Sequence, residues 1–183
     1  MRIFLAIDLP VELRARLSRI AEEFDVEGFA AVKEENIHIT VQFIGDIGHK
    51  GLKPVEKYRP TGSLRKSFGV GVSGISYFGT RMPRVIYANV DDSGGNIRRI
   101  NEDFSSYLES YGITVKHEDT FVPHVTLGRV KSPRGLDKIY ALLSTYKDTE
   151  LGNFTVDRLY IKKSELHGEG PVYSNVFCFK LYL

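Results

Sequence analysis

The chain has 183 residues, 42% hydrophobic and 26% charged, with a formal net charge of +2. That length suits one domain or two closely packed lobes, and the composition is that of an ordinary soluble globular protein. A single cysteine, Cys178, excludes an intrachain disulfide, and no apolar run approaches the roughly 20 residues that span a bilayer. Cys178 falls in the apolar run 176–179 and reads as a buried, inert thiol. Asp8 and Pro10 interrupt the N-terminal apolar run, so no signal peptide and a cytoplasmic location are expected.

Residues 2–7 form a short apolar run that predicts a buried strand. Asp8-Leu9-Pro10 starts a helix, with Asp8 as candidate cap and Pro10 in the first turn. Leu13, Leu17, Ile20 and Phe24 recur at helical spacing, predicting an amphipathic helix to about Phe24. Gly28 and the acidic stretch to Glu35 read as loop, and 37–44 as a strand stopped by Gly45-Asp46. Residues 49–66 are basic and broken by Gly51, Pro54, Pro60 and Gly62, predicting loop with at most one short helix. Such a loop either steers a polyanion or is simply solvated.

Residues 68–77 contain three glycines and predict a strand with bulges. A turn leads to a strand over 85–90, and the cluster 91–95 starts a second helix. Ile97, Ile100, Phe104, Leu108 and Tyr111 mark its apolar face, and Gly112 ends it. A short strand over 113–115 and a longer one over 121–130 follow, then a third helix over 135–146. Strands over 154–162 and 176–183 close the chain, joined by a loop over 164–173. This order is α+β with mainly antiparallel sheet.

Two tetrads share one pattern: His38-Ile39-Thr40-Val41 and His124-Val125-Thr126-Leu127. On a strand, His and Thr of each copy share a face roughly 6–7 Å apart, while Ile39/Val41 and Val125/Leu127 point into a core. The copies lie about half a chain apart, each after an amphipathic helix, so a duplicated lobe is expected, with one His-Thr pair on each wall of a cleft. Two imidazoles can serve as base and acid in one turnover, and two hydroxyls can donate to an anion's oxygens. Arg129 would add charge for a phosphate ester, although strict alternation turns it to the opposite face unless a bulge intervenes or its long side chain wraps back. Hydrogen-bonded structural histidines are the competing reading. Neither tetrad offers further ligands at metal spacing. The pairs His117/Glu118 and His167/Glu169 read as surface groups.

With their flanks, the tetrads resemble the 2H phosphoesterases, and among them the RNA 2′,3′-cyclic phosphodiesterases historically called 2′-5′ RNA ligases. The resemblance runs through Arg2-Ile3-Phe4-Leu5-Ala6-Ile7-Asp8-Leu9-Pro10, Glu35-Asn36-Ile37 before the first tetrad and Gln42-Phe43-Ile44-Gly45 after it. It continues with Pro83-Arg84-Val85-Ile86-Tyr87, Phe121-Val122-Pro123 before the second tetrad and Gly128-Arg129 after it, then Ser164-Glu165-Leu166 and Gly170-Pro171-Val172-Tyr173. It implies a single domain over 1–183, bilobal and pseudo-twofold, with two mainly antiparallel sheets facing a central cleft and helices outside.

It also implies hydrolysis of a 2′,3′-cyclic phosphate at an RNA 3′ end to a 2′-phosphomonoester, with weak ATP-independent reverse ligation. By the same resemblance His38 is the proton donor and His124 the proton acceptor, and Thr40 and Thr126 bind phosphate oxygens. Arg129, Phe43 and Tyr173 are further candidate substrate-binding residues. No metal or cofactor is expected; the expected partner is RNA bearing a cyclic phosphate, such as tRNA fragments, and the expected state a monomer off the membrane. The broken segment 47–66 departs from the family's usual helix after the first tetrad. Alternative readings are a non-catalytic RNA-binding module stacking bases on Phe43, Tyr77 and Tyr173, or a phosphodiesterase for small cyclic nucleotides or 2′-5′ oligonucleotides.

Overall fold

Ile3, Phe4, Leu5, Ala6 and Ile7 are all buried, so the first strand, β1 (Arg2–Asp8), is covered on both faces. It lies between β3 (His38–Asp46) and β8 (Arg158–His167), antiparallel to both. A computed structural model describes residues 1–117, 120–168 and 170–183. The remaining strands are β2 (Phe29–Ala31), β4 (Phe68–Phe78), β5 (Val85–Asp91), β6 (His124–Val130), β7 (Glu150–Val156) and β9 (Gly170–Lys180). The helices are α1 (Val11–Glu23), α2 (His49–Lys57), α3 (Asn96–Ser110) and α4 (Leu136–Tyr146).

The strand order is β7-β4-β5-β6-β3-β1-β8-β9, with β2 added beside β6. The expected two sheets are its two halves, β7-β4-β5-β6 and β3-β1-β8-β9. They meet at one residue pair, Ile39 opposite Val125. These are the central residues of the two tetrads, so the pseudo-twofold axis passes between them. Ile39, Val41, Val125 and Leu127 are fully buried in one core with Leu17 of α1, Ile97, Ile100 and Phe104 of α3, and Ile139 of α4. The helices therefore cover one face of the curled sheet, and the His-Thr pairs look out of the other. The two pairs lie side by side on that face rather than on separate walls, because antiparallel pairing through Ile39 and Val125 sets His38 beside Thr126 and Thr40 beside His124.

Several local expectations change. Asp8 caps no helix; it ends β1 and pairs with Lys162 at 2.9 Å, and Pro10 occupies the N-cap position of α1. The acidic loop contains β2, too short to show a period, held by pairing to β6. Strand β3 runs on through Gly45 and Asp46 because β1 pairs with both. The basic segment contains the nine-residue α2 with Pro54 inside it, supplying the expected family helix in short form. Tyr58, fully buried, anchors that segment by donating to Asp103 at 2.7 Å.

Residues 113–115 join no strand; Ile113 and Val115 are apolar because they pack on the core. The expected strand 154–162 breaks at Asp157, where the chain crosses from β7 in one half to β8 in the other. The expected loop 164–173 is mostly the β8–β9 hairpin, whose polar composition reflects exposure rather than irregular backbone. Cys178 is exposed, since β9 is an edge strand and the alternate residue Phe179 takes the core side. The bulges predicted in β4 are present around Gly74, at φ 65°. Among the described residues no helix is long and apolar enough to cross a membrane.

Candidate active site

Each tetrad is followed by a matching irregularity. In β3 the register with β1 skips Val41, and in β6 the register with β5 skips Leu127. A bulge at that point inverts the alternation for the residues that follow. Val41 and Gln42 are both buried and Phe43 is exposed; Leu127 and Gly128 are both buried and Arg129 is exposed. The bulge thus returns Phe43 and Arg129 to the face of the His-Thr pairs, and resolves the geometric objection to Arg129. Phe43 and Arg129 occupy equivalent places in the two copies, each five residues beyond its histidine.

Gly128 is required at its place, because a Cβ there would collide with the Phe29 ring and the Ala30 carbonyl of β2. In the other copy Gln42 stands at the equivalent position. It is buried, donates to the Lys116 carbonyl at 3.0 Å, and accepts from Asn101 at 2.5 Å and Ser105 at 3.2 Å. These bonds satisfy a polar side chain that would otherwise cost stability in the core.

Both histidines are oriented alike. His38 Nδ1 lies 2.6 Å from the Asn36 carbonyl, and His124 Nδ1 lies 2.8 Å from the Val122 carbonyl. A carbonyl only accepts, so Nδ1 carries the proton in each ring and Nε2 is the reactive nitrogen. His38 Nε2 lies 2.9 Å from Thr40 Oγ1, whose hydroxyl donates to the neutral ring. Aromatic rings hold both imidazoles: Phe4 and Tyr173 at 5.0 and 5.3 Å from His38, and Phe78 and Tyr87 at 4.9 and 5.3 Å from His124. Tyr173 stands edge-on to His38, so it both lines the site and fixes a histidine. Buried Asn36 ties the first tetrad to the β8–β9 hairpin by donating to the Pro171 carbonyl at 2.8 Å.

The predicted residues His38, Thr40, Phe43, His124, Thr126, Arg129 and Tyr173 all line one cleft of about 590 Å³, the scale of a small-ligand site. None of residues 49–66 lines it, so the basic segment neither shapes its rim nor reaches its floor. Tyr77 lies outside it, packed edge-on to Tyr140. His167 is exposed, as expected, and also lines the cleft, and exposed His117 pairs with Glu109 at 2.5 Å. Glu118 and Glu169 lie outside the described residues. Among the described residues no cluster of His, Cys, Asp and Glu gathers with metal-site geometry. Phe4, Phe78, Tyr87 and Asn36 escaped the sequence reasoning as site residues. Phe4, Tyr87 and Asn36 sit within the motif flanks that carry the resemblance, which was their only signal.

The two histidines differ in setting. Burial lowers the proton affinity of His38 to about 4, and the nearby Lys162 ammonium acts in the same direction against the Asn36 carbonyl and Asp8. The unfolded chain binds a proton at His38 below about 6.5 that the folded chain takes up only near 4. Between those values the unfolded state holds more protons, so stability falls as pH falls through that window. The expected loss is roughly 2–3 kcal/mol by pH 4.5. Urea unfolding of the wild type and His38→Asn at pH 7 and 4.5 checks this; the variant should lack that part of the loss. Equal losses in the two proteins would exclude the burial account.

The "LigT like Phosphoesterase" family model matches residues 7–87, and the "AKAP7 2′5′ RNA ligase-like domain" model matches residues 52–178, so each tetrad falls within a matched region. The chain is 32% identical to an RNA 2′,3′-cyclic phosphodiesterase of Methanothermobacter thermautotrophicus, over 99% of both chains. It is also 32% identical to the proteins of that name from Methanocaldococcus jannaschii, over 94% of this chain and 96% of that one, and Thermotoga maritima, over 97% and 94%. A Thermus thermophilus crystal structure superposes with a TM-score of 0.80 at 25% identity, covering 99% of this chain and 98% of the other. Escherichia coli LigT complexed with 3′-AMP shares the fold, with a TM-score of 0.75 at 20% identity over 98% and 96%. The chain belongs to the LigT-like 2H phosphoesterases, the family of the RNA 2′,3′-cyclic phosphodiesterases.

Proposed function

We propose that the chain hydrolyses 2′,3′-cyclic phosphate ends of RNA to 2′-phosphomonoesters by general acid-base catalysis between its two histidines. The observation that carries this reading is the pairing of Ile39 with Val125, which puts two Nε2 atoms, two threonine hydroxyls and Arg129 around one cleft floor. The names of the relatives supply the substrate class.

In the proposed reaction, His124 Nε2 takes a proton from water as its oxygen attacks phosphorus. The bond from phosphorus to O3′ breaks, and His38 Nε2–H gives its proton to that oxygen. The hydroxyls of Thr40 and Thr126 and the Arg129 guanidinium donate to the nonbridging oxygens as charge builds on them. Burial makes the His38 imidazolium a strong acid, and the anionic phosphodiester beside it offers the countercharge that lets it hold a proton before transfer. Every step uses side chains alone. With a 5′-hydroxyl in place of water, the same groups join its oxygen to phosphorus as the bond to O3′ breaks and O3′ is protonated, leaving a 2′-5′ linkage, which is the weak ligation included in this proposal.

One observation favours the reversed roles: a histidine whose proton affinity is held down by burial is neutral in the free protein and already able to accept a proton. The proposal otherwise comprises one catalytic domain over 1–183, acting as a cytoplasmic monomer on RNA fragments, tRNA fragments among them.

Chromatographic identification of the product from a cyclic-phosphate oligonucleotide tests the reading. A 2′-phosphate is expected; a 3′-phosphate would reverse the leaving group. Binding without turnover at any pH would favour a non-catalytic RNA-binding module.

A further inference from the structure

The cleft continues past the tetrads along β6. Because of the bulge at Leu127, the cleft-facing residues of this strand run His124, Thr126, Arg129 and then Lys131, just beyond its end. Successive same-face positions on a strand are roughly 6–7 Å apart, which puts Lys131 some 13 Å beyond Thr126. A phosphate held by the Thr126 hydroxyl lies outside the reach of a hydrogen bond from a side chain rooted that far away.

His167, at the tip of the β8–β9 hairpin, lines the same cleft, and Lys33 lines it level with Thr126, because β2 runs antiparallel to β6. Ala30 and Ala31 of β2 form its wall, and their small side chains leave the passage open. The cations that β6 brings to the cleft are Arg129 and, just beyond its end, Lys131. A cleft lined with cations raises the local concentration of a polyanion. A cyclic mononucleotide presents one phosphate to the tetrads and gives Lys131 nothing to bind; a strand end brings further phosphates on its 5′ side.

We propose, on the basis of the phosphodiesterase reading above, that this arm is a subsite for the phosphodiesters 5′ to the terminal cyclic-phosphate nucleotide. Lys131 is its principal cation, and the preferred substrate is an RNA strand end rather than a free cyclic mononucleotide. Lysine acts here as a point charge in an exposed setting, so its contribution is modest and sensitive to salt.

The test compares kcat/KM on adenosine 2′,3′-cyclic phosphate with kcat/KM on a short oligoadenylate ending in a 2′,3′-cyclic phosphate. The wild type should favour the oligomer. Lys131→Ala should lower kcat/KM for the oligomer roughly fivefold more than for the mononucleotide, the scale of one exposed charge contact. It should also flatten the dependence of log kcat/KM on log salt for the oligomer by about 0.7, the slope of one phosphate contact on a single strand. Lys131→Arg should retain both properties, and mononucleotide turnover reports that each variant is folded. Equal wild-type kcat/KM for the two substrates, or equal loss on both in Lys131→Ala, would overturn the subsite while leaving the phosphodiesterase intact. Absence of turnover on both substrates would overturn the parent reading and the subsite with it.

Discussion

Replacing His38 or His124 by Ala should lower kcat/KM for a cyclic-phosphate oligonucleotide by roughly 10²–10⁴, the usual contribution of one positioned acid or base. Both rings face the cleft rather than the helix-covered core, and the residues between each His and its Thr, Ile39 and Val125, hold the strands together. The far-ultraviolet circular dichroism of each variant should therefore match the wild type. Turnover within a few-fold of wild type in either variant would remove that histidine from the mechanism. A diester with a p-nitrophenolate leaving group separates the two roles, because that group departs without protonation. On it, the variant lacking the acid should recover much of its activity, and the variant lacking the base should stay inactive. With the roles as proposed, His38→Ala recovers; recovery of His124→Ala instead would mean that the buried, neutral His38 is the base.

The candidate site was legible in the sequence because it lies in short repeated segments. Two identical His-x-Thr patterns in apolar runs fix both the strand face and the groups on it, and burial of Ile39, Val41, Val125 and Leu127 follows from the period alone. The helices α1, α3 and α4 were legible for the same reason, from apolar residues at helical spacing. What escaped depends on partners distant in sequence. Strand β2 exists because β6 lies beside it, and the β8–β9 hairpin because its strands pair with each other although one face is polar. The aromatic rings holding His38 and His124 come from β1, β9, β4 and β5, and no spacing within the tetrads could announce them. The bulges at Val41 and Leu127 are similar: each is a mismatch between two strands, invisible in either strand alone. They decide which side of the sheet Phe43 and Arg129 occupy.

On the proposed mechanism, that mismatch gives Arg129 its place at the phosphate. Arg129→Ala should lower kcat/KM by roughly 10²–10³, the loss typical when one donor to a developing oxyanion is removed. The loss should fall mainly on kcat, because the guanidinium meets more negative charge on the nonbridging oxygens in the transition state than in the bound diester. Arg129→Lys should restore only part of the activity, since an ammonium offers a point charge where the planar guanidinium can span two oxygens. The equivalent position in the other copy is Phe43, which brings no charge, so the pseudo-twofold site has one cationic end and one aromatic end. On the proposed mechanism, a diester anion entering such a site would turn its nonbridging oxygens toward Arg129, and the two histidines would cease to be interchangeable. Steady-state kinetics of the two variants on one oligonucleotide checks this: a loss in KM alone would mean that Arg129 holds substrate and transition state equally, and activity within threefold of wild type would remove it from the site.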